Sequence, residues 1–181
     1  MKVHLEKASA EMTKVIGRFE HHLTTIRTGR ANPQQLADIH VDYYGAPTPL
    51  NQIGSIQVVE GRQLVIKPFD GSMLKAIEHA IHAANIGLVP MNDGAVIRIN
   101  VPVLNEQTRK ETVKVVKTHA DEAKVAIRNV RRDIRDAIKK DDTLTEDLEK
   151  SAEDKLDKLT DEFIKKVDSI VTSKEKEIMT V

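Results

Sequence analysis

The chain has 181 residues, enough for one large or two small hydrophobic cores. It contains no cysteine, which excludes disulfides, a thiol nucleophile and Cys-ligated metal sites, and no apolar run approaches the roughly 18 residues of a membrane span. Its formal net charge of zero hides a basic stretch, residues 106–140 with 11 basic and 6 acidic side chains, beside an acidic one, residues 141–181 with 7 and 13; local charge is what meets a phosphate backbone.

From Leu5 to Ile26 apolar or small residues recur at helical spacing through Leu5, Ala8, Met12, Val15, Phe19 and Ile26, widened by Ile16 and Leu23. This predicts a long amphipathic helix that stops near Thr28-Gly29, ahead of Asn32-Pro33. The period then changes. Ile39–Tyr44 reads as a strand closing on Gly45, with Pro47 and Pro49 breaking the run, and Ile56–Val59 and Leu64–Ile66 read as a hairpin turning at Glu60-Gly61-Arg62-Gln63. A helix capped by Ser72 is expected to run through Met73, Ile77, Ala80, Ile81 and Ala84 to a glycine stop at Gly87. Strands at Leu88-Val89 and Ala95–Val101, joined through Asn92-Asp93-Gly94, complete a small α+β unit.

After Pro102, with Asn105 as N-cap, Val113, Val116, Ala120, Ala123, Ile127, Val130, Ile134 and Ala137 alternate in steps of three and four. That is a coiled-coil-like seam on a helix of roughly 50 Å. Asp141-Asp142-Thr143 interrupts it, Thr143 and Glu146 have capping-box spacing, and a third long helix follows through Leu148, Ala152, Leu156, Leu159, Phe163, Val167 and Ile170. Three apolar stripes are satisfied together by a three-helix bundle formed by residues 1–30 and 105–181, interrupted by an inserted domain at 31–104. The expected fold is therefore α+β. The chain leaves the bundle near Ala31, Asn32 and Pro33 and returns near Pro102, Leu104 and Asn105, which makes these six residues candidates for a two-stranded hinge in an elbow-shaped molecule.

One position beyond the seam, Lys117, Asp121, Lys124, Arg128, Arg131 and Arg135 repeat the same steps, so a basic ridge flanks the buried stripe, thickened by Arg132 and Lys139. Arginine forks suit phosphate oxygens of folded RNA. The plainer reading is a solvated face with local pairs such as Asp136–Lys140; four arginines between Arg128 and Arg135 weigh against it. Arg27 and Arg30 sit at the first crossing, where a helix C-terminus also attracts cations. The carboxylates of 141–177 read as a solvated face and not as an acid/base pair, and Tyr43 and Tyr44, weighed as a base-stacking platform against packing with one ring exposed, are expected to pack through at least one ring. His79 and His82 lack a third metal ligand nearby in sequence, and there is no phosphate-binding loop or dinucleotide fingerprint, so neither a metal nor a cofactor is expected.

Arg27-Thr28-Gly29-Arg30-Ala31, Tyr43-Tyr44-Gly45-Ala46-Pro47-Thr48-Pro49-Leu50 and Val125-Ala126-Ile127-Arg128-Asn129-Val130-Arg131-Arg132-Asp133 resemble, in that order, the signature stretches of the ribosome recycling factor family. Leu159-Thr160-Asp161 with Lys165-Lys166 is similar too, whereas Leu104-Asn105-Glu106-Gln107-Thr108-Arg109 lacks one basic residue of the family pattern. The resemblance implies an elongated three-helix bundle bearing a hinged α/β sandwich, L-shaped like transfer RNA. It also implies a non-enzymatic, cytoplasmic factor that binds the large ribosomal subunit and its 23S-type RNA and works with elongation factor G and GTP. The RNA-facing residues it implies are Arg27, Arg30, Arg128, Arg131 and Arg132, to which the ridge adds Lys124 and Arg135. A monomer is expected, against the alternative of a coiled-coil adaptor or homodimer.

Overall fold

A computed structural model of the chain describes residues 1–180. Among them, helix α1 spans Lys2–Thr24, strands β1 and β2 span His40–Tyr43 and Ala46–Pro49, and a short helix α2 spans Leu50–Ile53. Strands β3 (Gly54–Val59) and β4 (Gln63–Pro68) precede helix α3 (Leu74–Ala84), strands β5 (Pro90–Asn92) and β6 (Ile97–Asn100), and two long helices, α4 (Glu106–Lys139) and α5 (Glu146–Met179). By contacts the chain divides into two units: Met1–Leu23 with Lys110–Thr180, and Thr24–Arg109.

In the helical unit, α1 buries Ala8, Met12, Val15, Phe19 and Leu23. It ends at Thr24, earlier than the glycine signal predicts, because Thr24, Thr25 and Ile26 are β-branched in succession and stiff at χ1. Helix α4 buries Thr112, Val116, Ala120, Ala123, Ile127, Ile134 and Ile138. The middle of the predicted seam is therefore the core line, but Val113, Val130 and Ala137 are only half-buried. A straight α-helix drifts about 20° per heptad from a strict 3.5-residue repeat, so over 34 residues the buried line slides to Thr112 at one end and Ile138 at the other. Helix α5 likewise replaces half-buried Leu159 by buried Thr160, whose hydroxyl donates to the Leu156 carbonyl at 2.8 Å and so brings no unpaired polar group inside.

The helices run alternately. His4 near the start of α1 reaches Asp141 beyond the end of α4 at 2.7 Å, and the imidazoles of His22 and His119 stack at 5.3 Å. The turn into α5 departs from the capping box. Thr143 does not cap; its N–H donates to Asp141 Oδ1 at 3.1 Å, and Thr145 stands at the N-cap without a side-chain bond. The Thr143 hydroxyl, His4 and the Thr143 N–H, in that order, pull the Asp141 carboxyl from its ordinary 3.8 to about 2. A depressed carboxyl contributes stability above its unfolded value and loses it as pH falls through the folded one. The helical unit should therefore weaken as pH drops from about 4 to about 2. Asp141→Asn should flatten that limb in urea titrations followed by circular dichroism; an unaltered acid limb would assign the loss to other carboxylates.

In the α/β unit, β1 and β2 form a two-stranded hairpin and β3-β4-β6-β5 a fully antiparallel sheet. The expected break at Pro47 and Pro49 is instead strand β2, paired with Asp42 and His40. Across the two-residue turn, Tyr43–Ala46 and Val41–Thr48 take the ladder bonds, so both prolines fall where an N–H would point outward and none is missed. Positive φ at Tyr44 and Gly45 supplies the turn, braced by the Gly45 N–H on Asp42 Oδ1 at 2.8 Å.

Asp70, not Ser72, makes the cap before α3: its Oδ1 accepts the Ser72 N–H at 3.0 Å. Asn85, with φ of 48°, closes α3 two residues ahead of the predicted Gly87. Leu64, Ile66, Ile97 and Ile99 line the inner sheet face and pack with Ile77 and Ile81 of α3 and with Leu36 and Leu50, all fully buried. The opposite face carries Gln57, Val65, Lys67, Arg98 and Asn100, as an antiparallel sheet covered on one side should.

Candidate nucleic-acid interface

Helix α4 presents the basic ridge at the positions the spacing predicts, but most of it is engaged. Lys124 Nζ lies 2.6 Å from Asp168, Arg131 Nε 2.7 Å from Asp157 and Arg135 Nε 3.0 Å from Glu153, while Lys117 reaches Glu175 at 3.7 Å. Each step along α4 is matched by a step back along α5, so the helices are antiparallel and zipped by ion pairs. The late carboxylates do form a solvated face, and within it Glu153, Asp157, Asp168 and Glu175 share one side of α5 and meet the ridge, Asp157 and Asp168 staying more than half exposed. Partly exposed pairs of this kind contribute about 0–1 kcal/mol each, so they set register more than stability. Hydrogen bonding to Glu153 raises the Arg135 pKa further, and this guanidinium stays charged at any relevant pH.

Arg128 and Arg132 are different. Four residues apart on one exposed face, they have no ion pair among the described residues. Two uncompensated guanidiniums on one turn of a rigid helix can fork onto neighbouring anionic oxygens without breaking an internal contact. Sequence spacing located both, but it did not separate them from their paired neighbours.

At the first crossing Arg30 is exposed and also without an ion pair among the described residues. Arg27 is not available in the same sense. Its Nη2 donates to the Ile86 carbonyl at 2.9 Å, and the guanidinium lies where a Cβ on Gly87 would sit. Gly87 is thus needed twice, for its φ of 72° and for the close approach of Arg27. The arginine fastens the crossing to the α/β unit, a role that no local sequence signal announces because Arg27 and Ile86 are 59 residues apart.

Of the six hinge candidates, Ala31, Asn32 and Pro33 are bound into the α/β unit. The Ala31 N–H donates to Gly61, and Asn32 Oδ1 accepts the Gln34 N–H at the head of a 3₁₀ turn that Pro33 begins. On the return crossing the Val101 N–H donates to Arg62, next to Gly61, so one β-turn ties both crossings at 2.8 Å. Pro102 is exposed, Leu104 is buried, and Asn105 caps α4 through the Thr108 N–H at 2.8 Å.

Among the described residues no group of three or more acidic or histidine side chains is placed to hold a metal ion, and no helix is long and apolar enough to cross a membrane.

A helical bundle interrupted by a small α/β unit, with a basic face on its second long helix, is the class of protein this architecture defines. The sequence model of the ribosome recycling factor family matches residues 19–179. The ribosome-recycling factor of Bacillus subtilis is 50% identical over 180 residues, covering 98% of this chain and 97% of its own. That of Xanthomonas euvesicatoria is 52% identical over 179 residues, covering 97% of each. A solution structure of the ribosome recycling factor superposes with a TM-score of 0.83 at 36% identity, over 99% of this chain and 97% of its own. A second structure, of the Thermus thermophilus factor with Escherichia coli elongation factor G on the E. coli post-termination complex, matches with a TM-score of 0.65 at 44% identity over 98% of each chain. The chain belongs to the ribosome recycling factor family.

Proposed function

We propose that this protein binds the large subunit of the post-termination ribosome through 23S-type ribosomal RNA. With elongation factor G and GTP, it then promotes subunit separation and release of messenger and transfer RNA. It acts as a cytoplasmic, monomeric, non-enzymatic factor without a cofactor, the free energy coming from the partner's GTP. The observation that carries the reading is the uncompensated Arg128–Arg132 face on a rigid helix, in a chain whose relatives match it from end to end. The relative placed with elongation factor G on the post-termination complex supports the choice of partner. Arg30 adds a second exposed guanidinium; Lys124, Arg131 and Arg135 contribute field while remaining paired to α5. An adaptor that recruits a helix through an open seam finds no support, because Val116 and Ile127 are already fully buried within the chain.

With Arg27 fastened to Ile86, and Ala31 and Val101 tied to one turn, flexing on the return crossing is assigned to the segment between Val101 and the Asn105 cap. Light scattering of post-termination complexes tests the function directly: adding the protein, elongation factor G and GTP should lower scattering as subunits part, and omission of any one should abolish the change. Intact ribosomes in the complete mixture would refute the reading.

A further inference from the structure

The chain has three phenylalanines, two tyrosines and no tryptophan. Phe19 and Phe163 are buried in the helical unit, whereas Tyr44 and Phe69 on the α/β unit are 79% and 76% exposed and Tyr43 is 36% exposed. As expected, one ring packs and one is exposed: Tyr43, on the strand face of buried Val41, is mostly covered and packs edge to face on Tyr44, 4.6 Å apart. Solvent-facing aromatic rings are costly, and rings held in one arrangement mark recognition surfaces.

The corner is held and it is anionic. The Tyr44 hydroxyl donates to Asp70 Oδ2 at 3.1 Å, while Asp70 Oδ1 is fixed by the Ser72 N–H and hydroxyl. Asp42, two residues before Tyr44, is fixed by the Gly45 N–H. Neither carboxylate has an ion pair among the described residues. The Ser72 and Tyr44 donors hold Asp70 below the usual carboxylate range, the Asp70 hydrogen bond pushes the Tyr44 phenol up, and no cation contributes to either shift. A phosphate backbone approaching here would meet two uncompensated carboxylates. A cation would meet ring faces and carboxylates together, and the exposed Phe69 ring beside Asp70 could cover the aliphatic stem of a basic side chain.

We propose that the corner formed by Tyr43, Tyr44, Phe69, Asp42 and Asp70 docks a lysine- or arginine-bearing segment of a partner protein, not RNA. This goes beyond the recycling reading, because it concerns the α/β unit and stands or falls without the arginines of α4.

Both tyrosines lie in this corner, so the intrinsic tyrosine fluorescence of the full chain reports on it alone. Titration with a short arginine-rich peptide should change that emission saturably, whereas a glutamate-rich peptide and an oligouridylate of equal length should not. Asp70→Asn retains the acceptor that caps the turn before α3 and removes the charge, so it should weaken peptide affinity about fivefold. Asp42→Asn should act in the same direction. Three results would overturn the proposal: no saturable change with the basic peptide, equal affinity in both asparagine variants, or an equal response to the RNA. Self-association in sedimentation that is lost in Phe69→Ser would also overturn it, assigning the corner to a second copy of this chain.

Discussion

Arg128→Ala combined with Arg132→Ala is expected to weaken binding to isolated large ribosomal subunits about a hundredfold while leaving the unfolding midpoint unchanged. A hydrogen bond to a charged group is worth about 1.5–3 kcal/mol, or about tenfold or more per arginine. Each neutralised phosphate contributes about 0.7–0.9 to the slope of log affinity against log salt, so the double variant should lose about 1.5 from that slope. Stability should not move, because neither guanidinium has an ion pair to lose among the described residues. Arg131→Ala and Arg135→Ala should behave in the opposite sense. Arg131→Ala strands Asp157, and Arg135→Ala leaves Glu153 only Lys139 at 4.0 Å, so each should lower the urea midpoint slightly with a smaller effect on binding. Salt-dependent binding of the four proteins, set beside their urea midpoints, separates these outcomes. If Arg131→Ala and Arg135→Ala weaken binding as much as the free pair does and cost no stability, the α5 carboxylates release their arginines to RNA, and the ridge acts as one surface.

The position of the ridge follows from helical spacing, since a one-residue offset from a buried seam fixes the face on which Lys124, Arg128, Arg131 and Arg135 lie. Which of them is free depends on the partner helix, and the match of Arg131 to Asp157 or Lys124 to Asp168 is set by packing between segments far apart in the chain. The same limit explains Arg27. As a C-terminal cation it is unremarkable, and only the return of the chain at Ile86-Gly87 gives its guanidinium a fixed acceptor. Local signals misled where two of them competed: Asp70 outranked Ser72 as a cap by two residues, and prolines that break most strands fit β2 because their missing N–H groups face outward. Most of the inserted sheet was legible as strands, although β5 lies at Pro90–Asn92 and not at Leu88-Val89, whereas the order β3-β4-β6-β5 is a property of the folded unit.

Glycine-to-alanine substitutions at Gly54 and Gly17 should have opposite signs. Gly54 begins β3 in an extended conformation that any residue can adopt, so its requirement is space. A Cβ there would stand 2.5 Å from the Lys67 carbonyl oxygen and 2.8 Å from the Pro68 Cα. Both are backbone atoms of β4, paired with β3 in the register Gly54↔Pro68, and neither can yield without opening the ladder. Overpacking of this kind costs about 1–3 kcal/mol, and Gly54→Ala is expected at the upper end of that range because no flexible side chain can absorb the displacement. Gly17, exposed in the middle of α1, has nothing within 4 Å of the point where an added methyl group would stand, so alanine there should add about 0.5–1 kcal/mol by restricting the unfolded chain. The two effects should also be separable by probe. Tyr43 and Tyr44 report unfolding of the α/β unit, whereas helical circular dichroism is dominated by α1, α4 and α5. Gly54→Ala should lower the tyrosine-detected midpoint most, and Gly17→Ala should raise the dichroism-detected one. If both probes shift together in both variants, the two units unfold as a single cooperative block, and the separation by contacts has no thermodynamic counterpart.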